Sequence, residues 1–297
     1  MKRKLLFRGT ATALVTPFKK DGSVDETTMR EFVDFQLDGG VEAVVPVGST
    51  GEGATLSESE QAAVIAMVVE QVNGKVPVIA GASSNSTHKA LQLSEAAKEA
   101  GASAILSVAP YYNKPTQEGI YQHFSAIADA IEMPIVVYNV PGRTASNISA
   151  ETVLRLAEEI PYIVGVKEAS ANFPQIMEIL RNRPSGFGVW SGDDNLTFPL
   201  ISLGADGVIS VVSNEIPRMF SDMIRLALKG KLEKALKLHF RLLPLMDLNF
   251  VESNPIPVKA VLARMGMIEE HYRLPLVPPG TSSRKTIEKV LKDLDLV

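Results

Sequence analysis

Two short apolar runs, Pro134-Ile-Val-Val-Tyr-Asn-Val140 and Tyr162-Ile-Val-Gly-Val-Lys167, flank an amphipathic stretch over residues 149–159. Runs that are apolar at nearly every position are typical of parallel strands buried on both faces. A strand, a helix and a second strand in this order predict one βα unit and the start of the next. The rest of the chain repeats this unit.

Eight such units follow one another. Predicted strands begin at residues 11, 43, 76, 104, 134, 162, 187 and 207, with a capped amphipathic helix predicted after each. Eight consecutive units predict an α/β fold, a closed (β/α)₈ TIM barrel. The alternative is an open, doubly wound sheet. It would show a Gly-rich turn after its first strand, and Thr16-Pro17-Phe18 is no such turn.

The last part of the chain differs from the rest. After residue 230 the strand pattern disappears, and helices are predicted over 231–243, 257–265 and 283–295. We therefore expect a barrel over residues 1–230 that carries the active site, followed by a C-terminal helical extension over residues 231–297.

The composition excludes several kinds of chemistry. The 297 residues include no cysteine, four scattered histidines, and 34 acidic against 30 basic side chains. This argues against disulfides, thiolate sites, a metal centre and nucleic-acid binding. The first eight residues lack a signal-peptide core, and no apolar run approaches the ~20 residues of a membrane span. We expect a cytoplasmic protein with no metal, no cofactor, and no nucleic-acid or membrane partner.

Active sites of such barrels lie at the C-terminal ends of the strands. Lys167 ends the sixth predicted strand. If it points into the barrel mouth, burial lowers the pKa of its amine and makes it a nucleophile towards carbonyl groups; otherwise it leaves the strand for solvent. Tyr138 stands near the end of the fifth strand, where it is either a proton shuttle or a core side chain.

Loops at the same end of the barrel carry further polar groups. Arg143 suits a carboxylate, although a loop arginine is commonly just solvated. The 48–52 turn (Gly-Ser-Thr-Gly-Glu) is either an anion cradle or an ordinary turn. Asp193 and Asp194 are interpreted as a helix cap with a dipole-favoured charge, in preference to metal ligands. Together these groups predict Schiff-base chemistry on a small keto acid, without a cofactor.

Five segments resemble the dihydrodipicolinate synthase branch of the pyruvate-dependent, Schiff-base aldolase family. They occur in the family's order, and the likeness covers essentially the whole chain. The segments are residues 40–52 (GVEAVVPVGSTGE), 110–119 (PYYNKPTQEG), 138–144 (YNVPGRT), 165–170 (GVKEAS) and 254–259 (NPIPVK).

The resemblance implies a role for each matching position. Lys167 would form an imine with pyruvate, and Tyr138 would be the central acid and base. A proton relay would link Tyr138 to Ser49 and to Tyr112, which in the family crosses from a neighbouring subunit. This implies a homotetramer built as a dimer of dimers.

The remaining matches imply substrate contacts. The N–H groups of Ser49 and Thr50 would hold the pyruvate carboxylate, and Arg143 would bind the carboxylate of aspartate semialdehyde. Gly192 and Ile209 would shape the pocket. The implied product is 4-hydroxy-tetrahydrodipicolinate, in the diaminopimelate route to lysine.

Two positions depart from the family pattern. Ser49 stands where the relay residue is usually threonine, so the hydroxyl is kept and the methyl group is lost. Lysine-inhibited members of the family carry histidine and glutamate where this chain has Glu58, Gln61 and Lys89. Two further positions, Asn85 and Tyr111, match those members. We expect free lysine to inhibit weakly or not at all, because Lys89 would repel it.

Three alternatives stay open. One is another aldolase of the same superfamily, such as N-acetylneuraminate lyase or a 2-keto-3-deoxy sugar-acid aldolase; Arg143 favours a short acidic aldehyde over a sugar. Another is a catalytically silent ligand-binding barrel, which has no physical need to keep Lys167, Tyr138 and Arg143 together. A phosphate-binding barrel is disfavoured by the carboxylates of Asp193 and Asp194.

Overall fold

The computed structural model describes residues 4–297. Residues 1–3 lie outside the described residues; they begin the predicted barrel and the stretch that lacks a signal-peptide core. Eight strands all run parallel, as expected from their continuous apolar runs. The strands are β1 Gly9–Ala13, β2 Ala43–Val45, β3 Ile79–Gly81, β4 Ala104–Val108, β5 Ile135–Asn139, β6 Ile163–Glu168, β7 Gly188–Ser191 and β8 Gly207–Ser210.

The strands form a ring. Their order is β2-β1-β8-β7-β6-β5-β4-β3, and a parallel bridge between Val44 and Val78 joins the two ends. The N–H group of Gly81 donates to the carbonyl of Pro46 at 2.9 Å across the same seam. The predicted TIM barrel is confirmed.

Helices alternate with the strands on the outside of the ring. Ser57 and Glu60 form a capping box at the start of one of them, since each side chain bonds the other residue's backbone N–H. The helices are α1 Glu26–Asp38, α2 Glu58–Val72, α3 Thr87–Glu99, α4 Gln117–Ile131, α5 Pro141–Thr144, α6 Ala150–Glu159, α7 Phe173–Asn182, α8 Asp194–Ser202, α9 Pro217–Leu228, α10 Leu232–Leu248, α11 Ile256–Arg264 and α12 Thr281–Asp293.

The barrel interior is filled by side chains rather than open. Trp190 is completely buried there and stacks on Phe7, with 4.7 Å between the ring centroids. A Cβ atom at Gly165 or at Gly188 would collide with the Trp190 ring. These two strand glycines therefore make room for the indole, which occupies the interior beneath the C-terminal strand ends.

The C-terminal helices α10, α11 and α12 share a second hydrophobic cluster with α8 and α9. The predicted end of α10 at residue 243 was wrong, because the helix continues through Pro244 to Leu248. Proline removes one helical hydrogen bond, but Leu245, Met246 and Leu248 beyond it are buried and continue the apolar face.

Neither a membrane span nor a metal cluster is found in the part of the chain that the structure describes. Among residues 4–297 no helix combines the length and apolar character needed to cross a bilayer. Within the same residues, no group of three or more histidine or acidic side chains is arranged to hold a metal ion.

Candidate active site

A cavity of about 820 Å³ opens at the C-terminal ends of the strands. Most of the predicted site residues line it, although they come from distant parts of the chain. The inner set is Lys167, Tyr138, Ser49, Thr50, Arg143 and Gly192, and the outer set is Glu58, Gln61, Asn85, Lys89 and Tyr111. Two predicted residues, Ile209 and Tyr112, do not line it: Ile209 is buried within the barrel, and Tyr112 is 88% exposed.

Lys167 lies on β6 and points into the barrel. It is only 6% exposed, and among the described residues its side-chain amine forms no ion pair or hydrogen bond. Burial lowers the pKa of Lys167 to about 8, against the opposing influence of Asp193 and Asp194, and the charge of Arg143 lowers it further. Part of the population is therefore a neutral amine near neutral pH, which is the form that attacks a carbonyl carbon.

Tyr138 is the register partner of Lys167 on the adjacent strand β5. Because paired residues on neighbouring parallel strands point to the same side, the Lys167 Nζ atom comes within 4.3 Å of the phenol ring centroid. Burial raises the pKa of Tyr138 above its ordinary value; the charge of Arg143 opposes this rise, and the charge of Asp193 adds to it. The phenol is therefore protonated at rest and stands beside the amine, placed to donate a proton and take one back.

Glu168, the next residue along β6, points to the opposite side, because side chains alternate along a strand. Its carboxylate accepts hydrogen bonds from Asn139 Nδ2 at 3.1 Å and from the Ser170 N–H at 2.9 Å. Burial raises the pKa of Glu168. The side chain therefore joins β6 to the end of β5 and to the loop after β6, which fixes the strand that carries Lys167.

Gly192 lies behind the Lys167 side chain. A Cβ atom there would come within 3.0 Å of the Lys167 Cε atom and 2.6 Å of the Ala169 Cβ atom. Glycine therefore gives the long lysine side chain its path into the cavity.

The 48–52 turn forms one wall of the cavity. Among residues 4–297, the backbone N–H groups of Ser49 and Thr50 donate to no other group of the chain. The turn is held from behind, because the Thr16 hydroxyl donates to the Gly51 carbonyl at 2.7 Å. Two free N–H groups and two hydroxyls on a fixed turn can bind an anion such as a carboxylate.

Arg143 lies across the cavity on the short helix α5. Its Nη2 atom donates to the backbone carbonyl of Asn254 at 3.4 Å, and the rest of the guanidinium is exposed. Tyr112, in the loop between β4 and α4, donates its N–H to the Thr144 carbonyl of the same helix at 3.3 Å. The Tyr112 phenol nevertheless lies outside the cavity of its own chain.

The interpretation of Asp193 and Asp194 as a cap was only half correct. Asp193 is the N-cap residue of α8 and Asp194 lies in its first turn, but the Asp193 side chain makes no capping hydrogen bond. It lines the cavity instead, where burial raises its pKa while Lys167 and Arg143 lower it. The Asp194 carboxylate, whose pKa burial raises to about 6, accepts from the Val211 and Val212 N–H groups.

A buried ion pair beside the cavity was missed from the sequence. Lys259 Nζ lies 2.6 Å from Glu52 Oε1, and neither side chain is exposed. The same Nζ atom donates to the Thr16 carbonyl at 3.1 Å and lies 4.3 Å from the Phe18 ring centroid. Both residues fall inside quoted segments, 40–52 and 254–259, but nothing in either segment says that the two side chains meet.

The outer end of the cavity contains a second, weaker pair. Lys89 Nζ lies 3.4 Å from Glu58 Oε1, with both side chains more than half exposed. Gln61 turns back to its own loop, because its Nε2 atom donates to the Gly53 carbonyl at 2.9 Å. The ammonium group of Lys89 therefore already lies beside the Glu58 carboxylate at the outer end of the cavity.

Comparison with known proteins agrees with this geometry. The model of the dihydrodipicolinate synthetase family matches residues 6–294. A 4-hydroxy-tetrahydrodipicolinate synthase from Chloroherpeton thalassium is 52% identical over 297 residues, covering 100% of this chain and 98% of that protein. A second one, from Koribacter versatilis, is 54% identical over 284 residues and covers 95% and 94%.

Solved structures give the same result. A dihydrodipicolinate synthase from Thermotoga maritima superposes with a TM-score of 0.96 at 46% identity, covering 98% of this chain and 100% of that one. A monomeric dihydrodipicolinate synthase variant has the same TM-score and identity, with 98% of both chains covered. The chain belongs to the dihydrodipicolinate synthetase family.

Proposed function

We propose that this protein is a 4-hydroxy-tetrahydrodipicolinate synthase, a lyase that condenses pyruvate with aspartate 4-semialdehyde. The observation that carries the proposal is the unpaired, buried Lys167 beside Tyr138, in a cavity that also contains a free anion-binding turn and Arg143. Such a site suits a substrate with a ketone next to a carboxylate. The names of the full-length relatives at about 50% identity support the same reaction.

The reaction begins with attack of the neutral Lys167 amine on the ketone carbon of pyruvate. Loss of one water molecule leaves an imine, and loss of a methyl proton turns the imine into an enamine. The enamine carbon then attacks the aldehyde carbon, whose oxygen takes up a proton and becomes the 4-hydroxyl group. The amine of aspartate semialdehyde finally replaces Lys167 on the imine carbon, which closes the ring and releases the enzyme.

The proposal gives each polar group one task. Tyr138 donates and accepts the protons of these steps through the Ser49 hydroxyl. The N–H groups of Ser49 and Thr50 hold the pyruvate carboxylate, and Arg143 holds the carboxylate of the aldehyde. Gly192 shapes the space around the substrates; the same role for Ile209, which is buried within the barrel and does not line the cavity, is supported by the resemblance alone. These roles rest on the resemblance, on the lining of the cavity and on the distances above.

Tyr112 needs a second copy of the chain to take part. Its phenol is 88% exposed, next to the half-exposed Tyr111, which is an unfavourable position for an aromatic ring in an isolated molecule. The proposal is that Tyr112 completes the proton relay of a neighbouring subunit within a homotetramer. Sedimentation analysis tests the assembly, and Tyr112→Phe tests the relay, because its turnover should fall by roughly one order of magnitude or more.

A coupled assay with pyruvate and aspartate semialdehyde tests the proposed function directly. Borohydride reduction in the presence of pyruvate, followed by mass spectrometry, is expected to place one adduct on Lys167. An adduct without condensation, or a clear preference for a sugar aldehyde, would instead favour the sugar-acid aldolases. Absence of an adduct would favour a silent barrel.

Two further parts of the proposal concern the whole molecule. The division into a barrel over 1–230 and an extension over 231–297 stays a prediction, and the hydrophobic cluster that α10, α11 and α12 share with α8 and α9 supports an extension that packs on the barrel. A cytoplasmic location stays a prediction from the sequence, which fractionation of cells that express the protein tests.

A further inference from the structure

We propose that Asn254, in the C-terminal extension, is a positioning residue that sets the 48–52 turn and Arg143 relative to each other. The inference rests on the proposed function, in which these two elements hold the carboxylates of the two substrates. Asn254 follows α10 and precedes α11, outside the barrel strands that supply Lys167 and Tyr138.

Asn254 contacts both elements at once. Its Nδ2 atom donates to the Thr50 hydroxyl oxygen at 2.9 Å, and its backbone carbonyl accepts from Arg143 Nη2 at 3.4 Å. Asn254 is only 6% exposed and lines the same cavity as Thr50 and Arg143. Two loops that lie far apart in the sequence are therefore joined through one residue at the wall of the site.

The direction of the first hydrogen bond matters for Thr50. Because the hydroxyl oxygen accepts from Asn254, the single hydroxyl hydrogen is left to donate elsewhere. The free N–H groups of Ser49 and Thr50 belong to the same turn. Asn254 thus keeps the Thr50 hydroxyl a donor, as binding of an anion requires.

The segment that carries Asn254 is itself fixed. Five residues further on, Lys259 forms its buried ion pair with Glu52, at the other end of the 48–52 turn. The Tyr272 hydroxyl donates to the Ile256 carbonyl at 3.0 Å. The extension therefore holds the turn at Thr50 and at Glu52, and it holds Arg143 from the same segment.

Such positioning has a measurable effect, since displacing a binding group by about 1 Å reduces rates by as much as 100-fold. Asn254→Ala removes the hydrogen bond to Thr50 but keeps the backbone carbonyl that accepts from Arg143. The expected result is a rise of roughly 3- to 10-fold in the KM for pyruvate, with a smaller rise for aspartate semialdehyde. The pyruvate concentration that gives half-maximal borohydride adduct on Lys167 should rise by the same factor.

Asn249→Ala is the matched control. Asn249 is a fully buried amide in the same region, at the end of α10, and its Nδ2 atom donates to Glu215 Oε2 at 3.0 Å. Its replacement should lower the unfolding temperature while leaving both KM values unchanged. If Asn254→Ala does no more than that, Asn254 is merely structural and the proposal is wrong.

A double variant tests whether Asn254 acts through Thr50. In Thr50→Val the acceptor is gone, so adding Asn254→Ala should raise the KM for pyruvate little further. Fully multiplicative effects would overturn the proposal. If the unmodified protein forms the adduct with pyruvate but does not condense it with aspartate semialdehyde, the proposed function fails while the trapping result still tests Asn254; if it forms no adduct, both fail.

Discussion

One buried lysine lines this site and another lies beside it, and their surroundings differ in their ion pairing. Lys167 and Lys259 are 6% and 0% exposed, and both ammonium groups lie 4.3 Å from an aromatic ring centroid. Burial lowers the pKa of each. Lys259, however, pairs with Glu52 at 2.6 Å, whereas Lys167 forms no ion pair among the described residues.

The difference supports the proposed roles, with Lys167 as the reactive lysine and Lys259 as a structural one. Unpaired burial favours the neutral amine, which has a free electron pair for a carbonyl carbon. A carboxylate in contact favours the ammonium instead, which has no such pair but holds Glu52 and the Thr16 carbonyl in place. Burial alone therefore does not distinguish the two lysines; the missing counterion among the described residues supports the proposal that Lys167 is the nucleophile.

The largest expected effect is on catalysis at Lys167. Lys167→Met should lower kcat/KM by ~10³-fold or more, because no imine forms, and borohydride should leave no adduct. Lys259→Met should still form the adduct with pyruvate, at a temperature where the variant is folded. An adduct in Lys167→Met, or at Lys259 in the unmodified protein, would reverse the assignment of the two lysines.

The next effect is on stability at Lys259. Lys259→Met leaves the Glu52 carboxylate buried without its partner, which costs about 3–5 kcal/mol in the free energy of unfolding. The double variant Glu52→Gln with Lys259→Met removes both charges and should recover much of this loss. Urea unfolding measures both; a loss below ~1 kcal/mol in the single variant would contradict a structural role.

Replacing Lys167 should raise the free energy of unfolding, whereas replacing Lys259 lowers it. Its pKa is lowered on folding to about 8 from its ordinary value of 10.5, so between these values the unfolded chain binds more protons than the folded one. The free energy of unfolding therefore rises with pH across this window. Below pH 8 Lys167 is charged in the folded protein, and its burial then lowers the free energy of unfolding by the full amount. Lys167→Met should stabilise the protein at pH 7 by on the order of 3 kcal/mol, a gain that vanishes above pH 10.5. Unfolding at both pH values checks this.

The pH dependence of imine formation gives a finer test. The trapping rate with pyruvate should rise with pH as the Lys167 amine loses its proton, with a midpoint near its pKa of about 8. Asp193→Asn should move the midpoint to lower pH, because the Asp193 charge raises the pKa of Lys167. A midpoint above pH 10, or an upward move in Asp193→Asn, would contradict the unpaired environment of Lys167.

Much of the barrel and part of the site were predictable from the sequence. The spacing of the apolar runs indicates all eight strands, and Lys167, at the end of the sixth one, points into the barrel mouth as one of its two predicted orientations required. Because every strand of a parallel barrel ends at the same face, residues such as Tyr138 and Arg143 were expected together, and they line one cavity.

The unpredicted features depend on contacts between distant segments. No local pattern shows that Lys259 meets Glu52, or that Asn254 meets Thr50, since these pairs are 207 and 204 residues apart. The pairings arise from how the extension packs on the barrel. Asp193 was misjudged for a related reason: its position before α8 favours a cap, and only the neighbouring Lys167 and Arg143 reveal why its carboxylate faces the cavity instead.

The smallest effect concerns Lys89, which lines the same cavity as Lys167, is exposed and pairs loosely with Glu58. Free lysine would meet its like charge there, so submillimolar lysine should not reach half-inhibition of turnover. Lys89→Glu replaces repulsion by attraction and should strengthen inhibition by about fivefold or more, the size of a contact between charges in water. Lys285→Glu, at an exposed position on α12 away from the cavity, is the control for net charge. Equal inhibition of the unmodified protein and both variants would show that Lys89 does not govern the binding of free lysine. Strong inhibition of the unmodified protein would show that a cation can bind beside Lys89 despite its charge.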